Sequence, residues 1–114
     1  MLSKETKDRI QSLYRECIKA LNLKPRYGQR VMIAEVAKSL AAVHEDEKGA
    51  RDNNAGISVV EAGTGTGKTL AYLLASLPVA IEKEKKLLIS TATVALQEQI
   101  LDKDLPNLKK TISM

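Results

Sequence analysis

The sequence predicts an α/β fold, a parallel β-α-β unit preceded by two helices. Three observations carry this. Two short apolar runs of strand-forming residues, Ile57-Ser-Val-Val60 and Leu87-Leu-Ile-Ser-Thr91, stand about a helix length apart. Between them lie a glycine-rich turn and the strong helix former Leu70-Ala-Tyr-Leu-Leu-Ala-Ser-Leu77. Ahead of both runs are two stretches whose apolar residues recur every three or four positions.

In order along the chain, residues 3–21 form the first expected helix. Ile10, Leu13, Tyr14, Cys17 and Leu21 share one face, and Ser3 is placed to cap the start. Asn22-Leu-Lys-Pro25 breaks the pattern. A second helix is expected from Gln29 to Val43, with Met32, Val36, Leu40 and Val43 inward. Residues 45–56 are polar and read as a tolerant surface loop. A strand at 57–61 follows, then the glycine-rich turn and a helix over 68–81, which Pro78 is expected to kink or end. Glu82-Lys-Glu-Lys-Lys86 is a charged connector to a second strand at 87–91. A last helix from Val94 turns Leu96, Ile100 and Leu101 inward and closes at Asp104-Leu-Pro106. Two strands joined through a helix make a right-handed parallel unit with helices on both faces.

The 114 residues suffice for one small domain with a core, and with three Tyr and no Phe or Trp that core rests on Leu, Ile, Val and Ala. Net charge is +4. The excess lies early: Lys4, Lys7, Arg9, Arg15, Lys19, Lys24, Arg26 and Arg30 face only Glu5, Asp8 and Glu16 in the first thirty positions. That suits either a polyanionic partner or a solvated helix face. Cys17 is the single cysteine, so no internal disulfide and no four-cysteine site can form within the chain. It is expected to pack as a small apolar residue. His44 stands alone at the edge of the acidic loop, without a metal or catalytic partner in sequence. No stretch is apolar enough to cross a membrane and the charged N-terminus is unlike a signal peptide, so cytoplasmic residence is expected.

The chemistry concentrates in Glu61-Ala-Gly-Thr-Gly-Thr-Gly-Lys-Thr69. Gly65 and Gly67 allow the backbone to curl into a nest whose amides converge on an anion. Lys68 supplies a point charge for β- and γ-phosphates, and the Thr69 hydroxyl suits Mg²⁺. A helix starting here directs its positive end at the same phosphates. Ala62, Gly63, Thr64, Gly65, Thr66, Gly67, Lys68 and Thr69 are therefore the candidate phosphate-binding residues, Lys68 and Thr69 the candidate catalytic pair and Thr69 the candidate metal ligand. The plainer alternative is a Gly/Thr-rich turn with an exposed lysine.

Beyond this loop, the chain resembles the N-terminal end of DinG-type ATP-dependent DNA helicases, superfamily 2 enzymes beside the XPD-like branch. Three segments spanning residues 25–106 carry the resemblance. Pro25-Arg-Tyr-Gly-Gln-Arg-Val-Met-Ile-Ala-Glu-Val-Ala37 is similar to the family's Q motif, with Arg26 and Gln29 at its Arg-x-x-Gln positions. Glu61–Thr69 is similar to motif I, where Ala62 is a helicase alternative to the usual glycine. Leu88-Ile-Ser-Thr-Ala-Thr-Val-Ala-Leu-Gln-Glu-Gln-Ile100, with Lys103-Asp-Leu-Pro106, is similar to motif Ia.

The resemblance implies a partial RecA-like P-loop NTPase domain. Residues 1–24 are then a helical leader and 25–114 the first, incomplete part of motor domain 1. It implies that Gln29 reads adenine, because an amide both donates and accepts and so can meet N6 and N7 together. Arg26 would seat the base or pair with a carboxylate. Without the resemblance, Gln29 is an exposed residue opening a helix. Thr91, Ala92 and Thr93, at the end of the second strand, would touch the single-strand backbone through hydroxyls and amides. Thr91 or Thr93 could equally cap the next helix.

The implied parent uses ATP and Mg²⁺, moves 5′ to 3′ on single-stranded or forked DNA, acts as a monomer away from membranes, and in cluster-bearing members holds a [4Fe–4S] centre. The ligands for such a cluster are absent from this chain. So are the acidic motif II and the arginine finger of the second motor domain. The finger alone is worth about 10³–10⁵ in rate in well-studied NTPases. These 114 residues by themselves are thus expected to hydrolyse little ATP, and their two strands to lack the neighbours that complete a sheet. The alternative from another class is a nucleotide-binding module without a motor, marked by a reading frame that stops after Met114.

Overall fold

The structure is a computed structural model and describes residues 2–50, 58–61 and 68–112. Its elements are α1 (Lys4–Ala20), α2 (Tyr27–Ala41), α3 (Lys68–Glu82), α4 (Val94–Gln99), a π-helical turn (Ile100–Asp104) and α5 (Leu105–Ile112).

Helix α1 begins where Ser3 Oγ accepts the Thr6 amide at 3.2 Å. It ends in a Schellman motif. The Leu23 amide donates to the Ile18 carbonyl at 2.9 Å and the Asn22 amide to the Lys19 carbonyl at 3.3 Å. Asn22 supplies the left-handed residue, φ 53°, which asparagine tolerates better than most. Ile10, Tyr14 and Cys17 are buried as the periodicity predicts, together with Thr6.

Helix α2 starts two residues before the expected Gln29 and ends at Ala41 rather than Val43. Its inward stripe is also turned. Met32 is buried as expected, but Ile33, Ala37 and Ala41 carry the rest of the buried face while Val36 and Leu40 are only partly buried. Periodicity weighs bulk, whereas close packing of two helices favours small residues. Here α2 packs on α3, and Ala37, Ala41, Ala71 and Ala75 are all nearly fully buried.

Helix α3 is the centre of the molecule, with α1 and α2 both packed on it and Leu73 and Leu74 fully enclosed. It runs through Pro78, which neither ends it nor leaves the core. An interior proline costs a helix about 3 kcal/mol or more. The burial of Leu73, Leu74, Ala75 and Val79 on either side, at about 25 cal/mol per Å² of apolar surface, offsets it. The end of α3 is a second Schellman motif, with the Lys85 amide on the Ala80 carbonyl at 2.9 Å and the Glu84 amide on the Ile81 carbonyl at 3.1 Å.

Glu82, at that end, accepts hydroxyl hydrogen bonds from Thr6 at 2.6 Å and Ser3 at 2.9 Å. This fastens the start of α1 to the end of α3. Lys83 Nζ donates to the Val43 carbonyl at 2.8 Å, and Lys85 pairs with Glu45 at 3.0 Å. The segment at 46–50 is a tight turn. Asp46 Oδ1 accepts from the amides of Lys48 and Ala50, and Gly49 takes φ 83°.

The α/β expectation is not met among the described residues, which form helices and no β-strand. Residues 58–61 and 87–91 carry no ladder. Leu87, Ile89 and Thr91 are half-buried while Leu88 and Ser90 are exposed, so the run keeps a strand's alternation. A strand also needs a neighbour to receive its amides and carbonyls, and none is paired with it here.

The final helix departs from expectation too. Ile100 is buried, but Leu96 and Leu101 are exposed, and the helical path does not close at Pro106. Pro106 has no N–H to offer the preceding turn. The chain widens before it, the Leu105 amide reaching back five residues to the Ile100 carbonyl, and α5 continues to Ile112 with Leu108 buried.

Candidate functional site

Lys68 and Thr69 are the first two residues of α3, Lys68 exposed and Thr69 half-buried. The first turn of this helix holds no acidic residue. Its first amides, which have no partner within the helix, and its positive dipole end thus meet no carboxylate from that turn. Ala62, Gly63, Thr64, Gly65, Thr66 and Gly67 lie outside the described residues.

Arg26 is the extended N-cap of α2, makes no side-chain cap, and is exposed. Gln29, one turn further, is 5% exposed rather than the surface residue its type suggests. Its amide carbonyl accepts from the Tyr14 hydroxyl at 2.8 Å. The same hydroxyl accepts the Arg26 backbone N–H at 3.4 Å. Both positions that matched the Arg-x-x-Gln pattern therefore meet one side chain from α1. Tyr14 counted in the sequence only as a core residue. The signal that could have raised it is general: a buried tyrosine hydroxyl takes a hydrogen-bond partner.

Gln29 lines a cavity of about 270 Å³ with Leu70, the residue after Thr69, and with Leu21, Leu23, Lys103, Asp104, Asn107 and Leu108. Parts of two of the three segments singled out in the sequence thus converge, the start of α2 and the Lys103–Asp104 tail of the third segment, beside Leu70, which directly follows the second.

Thr91, Ala92 and Thr93 are not in this cavity. Thr93 Oγ1 accepts the Leu96 amide at 3.2 Å and so caps α4, while the Thr91 hydroxyl donates to the Thr93 carbonyl at 3.1 Å. Ala92 and Thr93 are exposed and Thr91 half-buried.

A wider cavity of about 890 Å³ opens between α1 and α2, with Ile10, Tyr14 and Ile33 among its apolar lining and Lys7, Arg15, Arg30 and Lys38 as its charged residues. It gathers part of the early positive charge. Among the described residues no cluster of three His, Cys, Asp or Glu could hold a metal ion, and no helix is long and apolar enough to cross a membrane.

Residues 28–112 match the DEAD/DEAH box helicase family. The chain is 47% identical over 107 residues to the ATP-dependent DNA helicase DinG of Photobacterium profundum, covering 93% of this chain and 14% of that protein. It is 51% identical over 88 residues to the ATP-dependent DNA helicase DinG of Escherichia coli, covering 77% and 11%. For the protein of that name from Salmonella choleraesuis the identity is 49% over 88 residues, with 77% and 11% covered. The chain thus spans about an eighth of the length of these curated relatives.

Proposed function

The chain belongs to the DEAD/DEAH box helicase family, and on that premise we propose that it is the ATP-binding N-terminal part of an ATP-dependent DNA helicase of the DinG type. The observation that carries this is the convergence of Gln29 on the first turn of α3, directly after the Lys68-Thr69 pair. A base reader and a phosphate cradle have to lie within one nucleotide's reach, and Gln29 lines a cavity together with Leu70, the residue that follows Thr69.

In this proposal the triphosphate lies against the start of α3, where helix amides and dipole favour negative charge. Lys68 adds an ammonium beside the β- and γ-phosphates, and residues 62–67 provide the glycine-rich turn around them. Thr69 is a fitting ligand for Mg²⁺, whose remaining positions water and phosphate oxygens would fill, and the ion supplies charge neutralisation when bound. Gln29 reads the adenine edge and Arg26 seats the base. Thr91, Ala92 and Thr93 contact the backbone of single-stranded DNA. The capping bond of Thr93 uses only acceptor capacity of its hydroxyl, so its proton remains for a phosphate oxygen. The partial RecA-like sheet is completed when strands beyond this chain flank 58–61 and 87–91. Translocation is 5′ to 3′, by a monomer.

Lys68→Ala removes charge-assisted hydrogen bonds worth about 1.5–3 kcal/mol to the phosphates, a loss of roughly 10- to 150-fold in nucleotide affinity. The measurement is ATP binding and hydrolysis by the protein expressed from its complete reading frame. Unchanged binding and turnover would remove Lys68 from the site, and a reading frame ending at Met114 would remove the motor.

A further inference from the structure

We propose that the groove between α1 and α2 is a docking site for an acidic amphipathic helix of a partner protein. None of the described residues assigned to nucleotide or DNA lines this groove, so the proposal does not rest on those assignments.

The groove exists because α1 and α2 pack on α3 and not on each other. No Cα of one comes within 8 Å of a Cα of the other. Each helix turns one stripe toward the gap. On α1 the stripe is Lys7, Ile10, Gln11, Tyr14 and Arg15, and on α2 it is Tyr27, Arg30, Val31, Ala34 and Lys38. These spacings of three and four keep each stripe on one helical face. At 1.5 Å per residue the walls run for about 12 Å and about 17 Å, the length of two to three helical turns. An elongated occupant fits that shape better than a compact one.

The chemistry of the groove is divided. Its floor is apolar, with Ile10, Ile33 and Ala37 buried, while Val31 and Ala34 stay exposed on the α2 wall and Tyr27 is 82% exposed at its start. Both walls carry exposed cations, Lys7 and Arg15 on one and Arg30 and Lys38 on the other. The acidic residues of these helices, Glu5, Asp8, Glu16 and Glu35, do not line it. Arg15 donates to the Ser12 hydroxyl at 3.4 Å, and among the described residues none of the four cations pairs with a carboxylate. The complement of an apolar floor between two cationic walls is a helix with an apolar stripe and carboxylates along both of its edges. A single nucleic-acid strand is the poorer match. It stacks its bases on exposed rings, and the groove offers one, Tyr27. The Tyr14 ring is buried, and its hydroxyl is engaged by Gln29 and the Arg26 amide.

The test uses the protein from its complete reading frame and fluorescence anisotropy of a labelled peptide made of two Leu-Glu-Gln-Leu-Leu-Ala-Glu repeats, whose leucines form one stripe with glutamate on either side. Binding is expected, and it should weaken as salt is added. Arg15→Glu combined with Lys38→Glu should weaken it about 3- to 30-fold, the range of two reversed rim pairs. Ala34→Asp, which sets a carboxylate beside the floor, should weaken it about 10-fold or more. ATP hydrolysis and the melting temperature of these variants should stay near those of the parent, which separates loss of docking from loss of fold. The same peptide with lysine for glutamate, or with serine for leucine, should not compete. Failure of the peptide to bind would overturn the proposal. So would equal binding of the serine peptide, or an affinity that neither variant changes. Variants that weaken binding of a thymidine oligonucleotide but not of the peptide would give the groove to nucleic acid instead.

Discussion

Cys17 shows how far a single residue could be read from sequence. Its place on the apolar face predicts burial, and it is fully enclosed. Burial, with the Glu16 charge adding to it, pushes its thiol up from 9.0 to about 11. An acid whose folded value is raised stabilises the fold fully below its unfolded value and loses that contribution as pH rises toward the folded one. The chain should therefore resist thiol alkylation near neutral pH and lose stability between pH 9 and about 11, and Cys17→Ala should abolish that alkaline loss. Rapid labelling of the folded chain at neutral pH would contradict it. Glu82 runs the other way. The Thr6 and Ser3 hydroxyls hold its carboxyl below the usual carboxylate range, so its contribution is present above that range and fades on acidification. Ser3 and Thr93 were legible as caps, because a hydroxyl just before a helical pattern has a local use. The Tyr14–Gln29 pair was not. The partners stand fifteen positions apart on two different helices, and only the tertiary fold sets their distance.

Among the elements, what rests on neighbours in the chain could be read and what rests on distant partners could not. The three long helices lie close to their expected positions, since a 3.6-residue apolar period and a cap are local signals. The runs at 58–61 and 87–91 have strand composition, and the second keeps alternate exposure. A ladder is a property of two segments, and its partner is not among the described residues. The rotated face of α2 and the widened turn before Pro106 likewise depend on what each helix packs against. Glu84 offers a test of local geometry. It sits at φ 55° in the cap that ends α3, where a side chain costs about 1–2 kcal/mol and glycine costs nothing sterically. Its charge also opposes the negative end of the helix. Glu84→Gly gives back part of the gain through greater freedom of the unfolded chain. A net stabilisation of about 0.5–1 kcal/mol is expected, visible as a higher urea midpoint. A lower midpoint would show that Glu84 is held by something other than the cap.

For the whole molecule the surface is the telling quantity. The chain exposes 8348 Å², against about 6,200 Å² expected for a finished monomer of 12.5 kDa. Part of the difference is apolar, with Val59 at 94% and Leu88 at 92% exposure in the two runs that want sheet neighbours. Isolated, the chain should bind a hydrophobic dye and self-associate as its concentration rises. Val59→Lys and Leu88→Lys should suppress both effects while leaving the helical content intact. A chain that stays monomeric and dark to the dye when concentrated would mean that these residues are covered in solution. Helix α1 bears on how such a molecule responds to a ligand. Glu82 hooks its beginning to the tail of α3, while Tyr14, near its middle, grips the opening of α2. It acts as a splint across two beams. Displacement at the head of α3 is resisted at its far extremity, and α1 shares mechanically in any movement of that helix.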